Sequence, residues 1–99
     1  NRNQKAHPLI LTLSSLHSYF QKLLLLKGID NSKNAAATIG VSPYFLKEYE
    51  SAANQFSMRQ ITNAMRHIFE ADLKSKGIGS VNAGVDEILE TLLLQLFTL

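Results

Sequence analysis

Residues 40–49 read GVSPYFLKEY, and this segment predicts the end of one helix and the start of the next. Gly40 suits the left-handed backbone conformation that often closes a helix. Ser42 can accept a hydrogen bond from a backbone N–H at a helix N-terminus, and Pro43 suits the first helical position, where no N–H partner is needed. A helix-turn-helix DNA-binding domain and a helical assembly domain could both contain such a corner.

The composition bounds the class of protein. Its 99 residues allow one domain with one core. A hydrophobic fraction of 45% is typical of a folded globular chain rather than a disordered one. The absence of cysteine excludes disulfides and thiolate metal sites and agrees with a reducing compartment. A net charge of +2 gives little support to nucleic-acid binding.

A long apolar stripe precedes the corner. Leucine and phenylalanine recur at three- and four-residue spacing from Leu9 to Leu24, which predicts a helix from near Pro8 to Gly28. Residues 1–7 are polar, and we expect them to be frayed. Leu25 and Leu26 extend the apolar surface nearly all round this helix.

Four further helices follow from the pattern. A short one runs from about Ser32 to Ile39, and the next from Pro43 to about residue 54. Ser57 and Gln60 form a capping-box pattern that opens a helix ending near residue 76, and a final helix runs from about Val85 to the end. We therefore predict a single all-α domain over residues 1–99, a compact bundle of about five helices. Its predicted core contains Leu13, Leu16, Phe20, Leu23, Ile39, Phe45, Leu46, Met65, Ile68, Ile88, Leu89 and Leu92.

Catalytic, cofactor and metal sites have little support. His67 and Glu70 lie three residues apart, but a metal site needs three or four ligands and no second such pair exists. The Gly77-Ile78-Gly79 segment follows a helix and lacks the Gly-Lys-Ser/Thr ending of a phosphate-binding loop. We predict no catalytic, cofactor-binding or metal-binding residues.

The helix-turn-helix hypothesis depends on the corner. Ala36, Ile39, Gly40 and Leu46 fall at the spacing of that motif, so the helix from Pro43 would be the recognition helix. Its charged residues are one lysine and two glutamates, and carboxylates are repelled by phosphate. A plain corner between two helices remains the alternative interpretation.

Surplus apolar residues on the first and last helices predict contact with another chain. A domain of this size cannot easily bury every face of two helices. The predicted interface residues are Leu25, Leu26, Leu94 and Phe97.

No membrane span or signal peptide is expected, because the longest unbroken apolar runs are three or four leucines. We therefore predict no membrane partner and a cytoplasmic location. The sequence begins at Asn1 without a methionine, and we expect it to be the C-terminal fragment of a longer protein.

An ordered set of segments resembles a known family. The set comprises residues 16–28 (LHSYFQKLLLLKG), 41–49 (VSPYFLKEY), Ala52-Ala53, Phe56-Ser57, 70–77 (EADLKSKG) and a closing leucine-rich helix. From about Leu9 to Leu99 the chain resembles the C-terminal domain of the delta subunit of bacterial DNA polymerase III. The Ser-Lys-Gly sequence before the last loop is similar to that of the Bacteroidetes branch of this family.

The resemblance implies a role in the clamp loader, which opens the sliding clamp and places it on primed DNA. The C-terminal domain of delta would be a helical collar unit that packs beside delta-prime and gamma/tau chains. The sliding clamp would be bound by N-terminal domains outside this chain, and the delta subunit itself would not be catalytic. In the intact loader, Lys74 and Lys76, with Gly77 and the rest of the Gly77-Ile78-Gly79 segment, could form a cationic loop tip near DNA. The alternative interpretation, which the pattern favours, is a solvated helix end whose lysines complement the helix dipole.

Overall fold

The computed structural model describes residues 2–29, 34–77 and 84–99, with side chains from residue 8 onward. The described elements are α1 (Arg2–Gly28), α2 (Ala35–Ile39), α3 (Pro43–Gln55), α4 (Met58–Ser75) and α5 (Val85–Phe97). Within those residues every regular element is a helix, which confirms the predicted all-α bundle of five helices.

The start of α1 corrects one prediction. The helix begins at Arg2, so Pro8 lies inside it rather than in its first turn. Proline removes one backbone hydrogen bond, the one to the carbonyl of Gln4, and this loss did not end the helix. The segment before Pro8 contains Arg, Gln, Lys and Ala, which all have high helix propensity. Residues 2–7 are therefore helical. The fraying of this terminus stays a prediction.

The corner between α2 and α3 has the predicted geometry. Gly40 adopts a φ of 76°, and its N–H donates to the Ala37 carbonyl at 3.2 Å. The Ser42 side chain accepts from the backbone N–H of Tyr44 at 3.3 Å, and Pro43 occupies the first turn of α3. The predicted first turn of α2, from Ser32, lies outside the described residues.

The start of α4 is a complete capping box. The Ser57 hydroxyl accepts from the Gln60 backbone N–H at 3.1 Å, and the Ser57 N–H donates to the Gln60 side-chain oxygen at 2.8 Å. The Gln60 side-chain nitrogen also donates to the carbonyl of Leu99 at 3.2 Å. This bond places the last residue beside the first turn of α4, so α4 and α5 run antiparallel.

The core forms where α1, α4 and α5 pack together, and α3 packs against α1 from another side. Tyr19 on α1 contacts Tyr49 on α3, with 5.6 Å between ring centroids, and Phe20 contacts Phe56 at 5.9 Å. The buried cluster consists of Leu9, Leu13, Phe20, Leu23, Ala53, Ile61, Ala64, Ile68, Ala71, Ile88 and Leu92.

Most of the predicted core residues are buried or half-buried. The buried ones are Leu13, Phe20, Leu23, Ile39, Ile68, Ile88 and Leu92, and the half-buried ones are Leu16, Leu46, Met65 and Leu89. The prediction that Phe45 is in the core was wrong. It is 47% exposed and packs edge-on against the exposed ring of Tyr44, with 5.1 Å between the ring centroids. Two core alanines, Ala53 and Ala71, were missed because a small side chain carries little hydrophobic signal.

Candidate functional site

The surface of α5 that points away from the core combines carboxylates with large apolar side chains. Ile88 and Leu92 face the core and are buried. On the opposite side, Glu87 and Glu90 are exposed in the first half of the helix, and Leu94 and Phe97 are exposed in the second half. We call these four residues the α5 outer face.

The apolar half of this face is unusually exposed. Leu94 is 61% exposed and Phe97 is 83% exposed. Leu93, beside them, is also exposed. Single exposed apolar residues are normal, but a contiguous group on one helix face marks an interaction surface. The α5 outer face is therefore the best candidate site on the described surface.

Three of the four predicted interface residues lie on the surface. Leu94 and Phe97 share the α5 outer face, about one turn apart. Leu25 is 42% exposed and lies on α1, so it belongs to a different helix. Leu26 is half-buried and packs against the core, so part of its apolar area is already used inside the chain.

A groove between α1 and α4 exposes further apolar side chains. Ile10 and Phe69 are exposed at the groove, and Met65 and Ile68 contribute to its lining. Phe69 lies one residue beyond the buried Ile68, and this rotation of about 100° turns it toward solvent.

The residues predicted to approach DNA lie at the end of α4. Lys74 is exposed, and the Nζ of Lys76 lies 2.9 Å from the Asp72 carboxylate. Gly77 has a φ of 75° just after the helix. Ile78 and Gly79, the rest of the predicted loop tip, lie outside the described residues. Among the described residues, Lys74 forms no ion pair, whereas Lys76 does.

Metal-ligating side chains do not cluster. The Nδ1 of His67 lies 3.4 Å from the Glu70 carboxylate, which is an i,i+3 contact along α4. Across the described residues, no group of three or more His, Cys, Asp and Glu side chains could hold a metal ion.

The exposed surface of α3 has few cations. Tyr44 is 83% exposed in its first turn. Lys47, Glu48 and Glu50 are exposed farther along, so the helix carries one positive and two negative charges. A recognition helix of this charge would gain nothing from phosphate neutralisation.

The segment Pro8–Gly28 of α1 is long and apolar enough to cross a membrane, as judged by length and composition. The length of unbroken apolar runs did not predict this segment, because polar residues such as Ser14, Ser15 and His17 interrupt it. In the fold, Leu9, Leu13, Phe20 and Leu23 of this segment are in the core, and 22% of the segment's most apolar window is buried inside the chain.

Comparisons with protein-family models, with curated proteins and with solved structures found no match to this chain.

Proposed function

We propose that this domain is an assembly module, the collar domain of the delta subunit of a bacterial DNA polymerase III clamp loader. The observation that carries the assembly role is the exposure of Leu94 and Phe97 on one side of α5. The resemblance of the ordered segments described above supplies the specific identity. The parent protein would be a non-catalytic subunit of the cytoplasmic replication machinery.

The physical basis of assembly is burial of this apolar surface. Apolar area removed from water contributes roughly 25 cal/mol per Å², and association opposes this with lost translational and rotational freedom. A phenylalanine as exposed as Phe97 offers a large area and only two side-chain torsions to order. The domain would thereby hold its subunit among delta-prime and gamma/tau chains. Clamp opening and contact with primed DNA would belong to the intact complex.

A helix-turn-helix transcription regulator is the second candidate function. The left-handed Gly40 and the cap at Ser42 favour it, since they form a tight corner between two helices. The net negative charge of α3 opposes it, because a recognition helix must approach phosphates.

A pull-down tests the assembly proposal. The chain is immobilised and exposed to delta-prime and gamma/tau subunits, and Phe97→Asp is expected to reduce the recovered subunits severalfold. Leu94→Asp is expected to act in the same direction. Tyr44→Asp is the matched control, because Tyr44 is as exposed as Phe97 and lies on α3. Equal recovery with Phe97→Asp and with the control would contradict the proposed interface.

Selection from random-sequence DNA separates the two candidates. An assembly domain should enrich no consensus site at physiological salt. Recovery of a consensus site, with affinity that falls steeply as salt rises, would favour the helix-turn-helix alternative.

A further inference from the structure

A second exposed surface runs along α4. Met58 and Phe69 lie about three turns apart on one exposed row, and Arg59 and Arg66 lie about two turns apart on the adjacent row. All four side chains are exposed. We call them the α4 outer face. It combines two positive charges with large apolar groups, and the exposed Glu70 lies one turn beyond Arg66.

The α5 outer face combines negative charge with large apolar groups. Glu87 lies two turns before Leu94, and Glu90 lies two turns before Phe97. The two faces therefore have opposite charge and the same mixture of ionic and apolar groups. Each face spans 10 or 11 residue steps, or about 15 Å of helix.

Within one chain these two faces do not meet. Ile61, Ala64 and Ile68 of α4 and Ile88 and Leu92 of α5 belong to the buried cluster, and the two outer faces remain in solvent. In the described part of the chain, the side chains of Arg59 and Arg66 form no ion pair or hydrogen bond with Glu87 or Glu90. Their charges are available to another molecule.

We propose that the α4 outer face of one chain binds the α5 outer face of a second copy. The arginines would lie against Glu87 and Glu90, and Leu94 and Phe97 would pack on Met58 and Phe69. Pairing of unlike faces is heterologous, so each copy keeps one face of each kind open, and the contact propagates or closes into a ring. This inference does not rest on the clamp-loader assignment, because its partner is the chain itself. The two contacts would exclude each other, since both bury Leu94 and Phe97.

Sedimentation equilibrium with charge-reversed variants tests the proposal. The wild-type chain should show an average mass that rises above 11.0 kDa with concentration. Glu87→Lys with Glu90→Lys should weaken association about tenfold or more, because like charges then face each other across the contact. Arg59→Glu with Arg66→Glu should do the same. An equimolar mixture of the two variants should restore association, since each reversed face meets an opposite one.

A charge-matched control excludes a general effect of net charge. Glu48→Lys with Glu50→Lys makes the same charge change on α3, away from both faces, and should associate like the wild type. Helical circular dichroism of each variant checks its folding. A wild-type chain that stays at 11.0 kDa would overturn the proposal, and so would failure of the mixture to restore association between folded variants. Self-association without recovery of clamp-loader subunits would leave this inference standing and remove the proposed function.

Discussion

At the scale of single residues, Phe20 joins α1 to Phe56 at the end of α3 within the core. It is buried, and its ring contacts Tyr19 at 5.4 Å and Phe56 at 5.9 Å. Phe20→Ala should lower the free energy of unfolding by about 3–5 kcal/mol, because it removes buried apolar contacts and leaves a cavity. Urea denaturation measures the change, with Tyr44→Ala as a control expected to stay within about 0.5 kcal/mol. A loss below about 1 kcal/mol for Phe20→Ala would show that this ring contributes little to the core.

Tyr19 predicts a dependence of stability on alkaline pH. Partial burial of Tyr19, which is still 36% exposed, and the neighbouring Tyr49 raise the pKa of Tyr19 above its ordinary value of 10.0. The folded state therefore holds this proton more tightly than the unfolded state, so the stabilisation is fully present below pH 10 and is lost as pH rises through the folded pKa. Thermal unfolding at several alkaline pH values should show this loss, and Tyr19→Phe should reduce it. An identical pH profile for Tyr19→Phe would contradict the assignment to Tyr19.

At the scale of helices, Gly40 and Gly28 form a matched pair. A methyl group added at either position would meet no atom within 4 Å. Any difference between the two alanine substitutions must therefore come from the backbone conformation and not from a clash. Gly40 has a φ of 76°, whereas Gly28 is the last residue of α1 and has no left-handed backbone conformation. Gly40→Ala should destabilise by about 1–2 kcal/mol because alanine resists the left-handed region. Gly28→Ala should be neutral or stabilise by up to about 1 kcal/mol. Chemical denaturation compares the two, and similar effects would mean that the Gly40 conformation is not the cause.

Helix termini were predictable because their signals are local. The Ser42 side chain accepts from the Tyr44 N–H, and the Ser57 side chain accepts from the Gln60 N–H. Both bonds lie within three residues, so sequence alone places them. The start of α1 was not predictable in this way, since the lost hydrogen bond at Pro8 is outweighed by other contributions to the helix. The exposure of Phe45 and Phe69 depends on how α3 and α4 are rotated in the fold. The exposure of Leu94 and Phe97 could be predicted because they fall outside the main apolar stripe of α5.

At the scale of the whole molecule, the end of α4 is where the proposed loader would approach DNA. Lys74→Glu should weaken binding of primed DNA by the intact complex and reduce the salt dependence by about one phosphate contact, while leaving subunit assembly intact. Lys76 is a poorer choice, because its ammonium already pairs with Asp72. Lys47→Glu on α3 makes the same charge change elsewhere and serves as the control. Unchanged DNA affinity at low salt would remove the role of Lys74.

The aromatic contacts between α1 and α3 give the molecule an optical reporter of its own. The sequence has three tyrosines and no tryptophan, and two of those tyrosines, Tyr19 and Tyr49, lie with their rings 5.6 Å apart across the contact. Near-ultraviolet circular dichroism would therefore arise largely from the place where α3 docks on α1. Detachment of α3 would abolish that signal while α1, α4 and α5 kept most of the far-ultraviolet helical signal, so partial opening of this side of the domain could be followed without any attached dye.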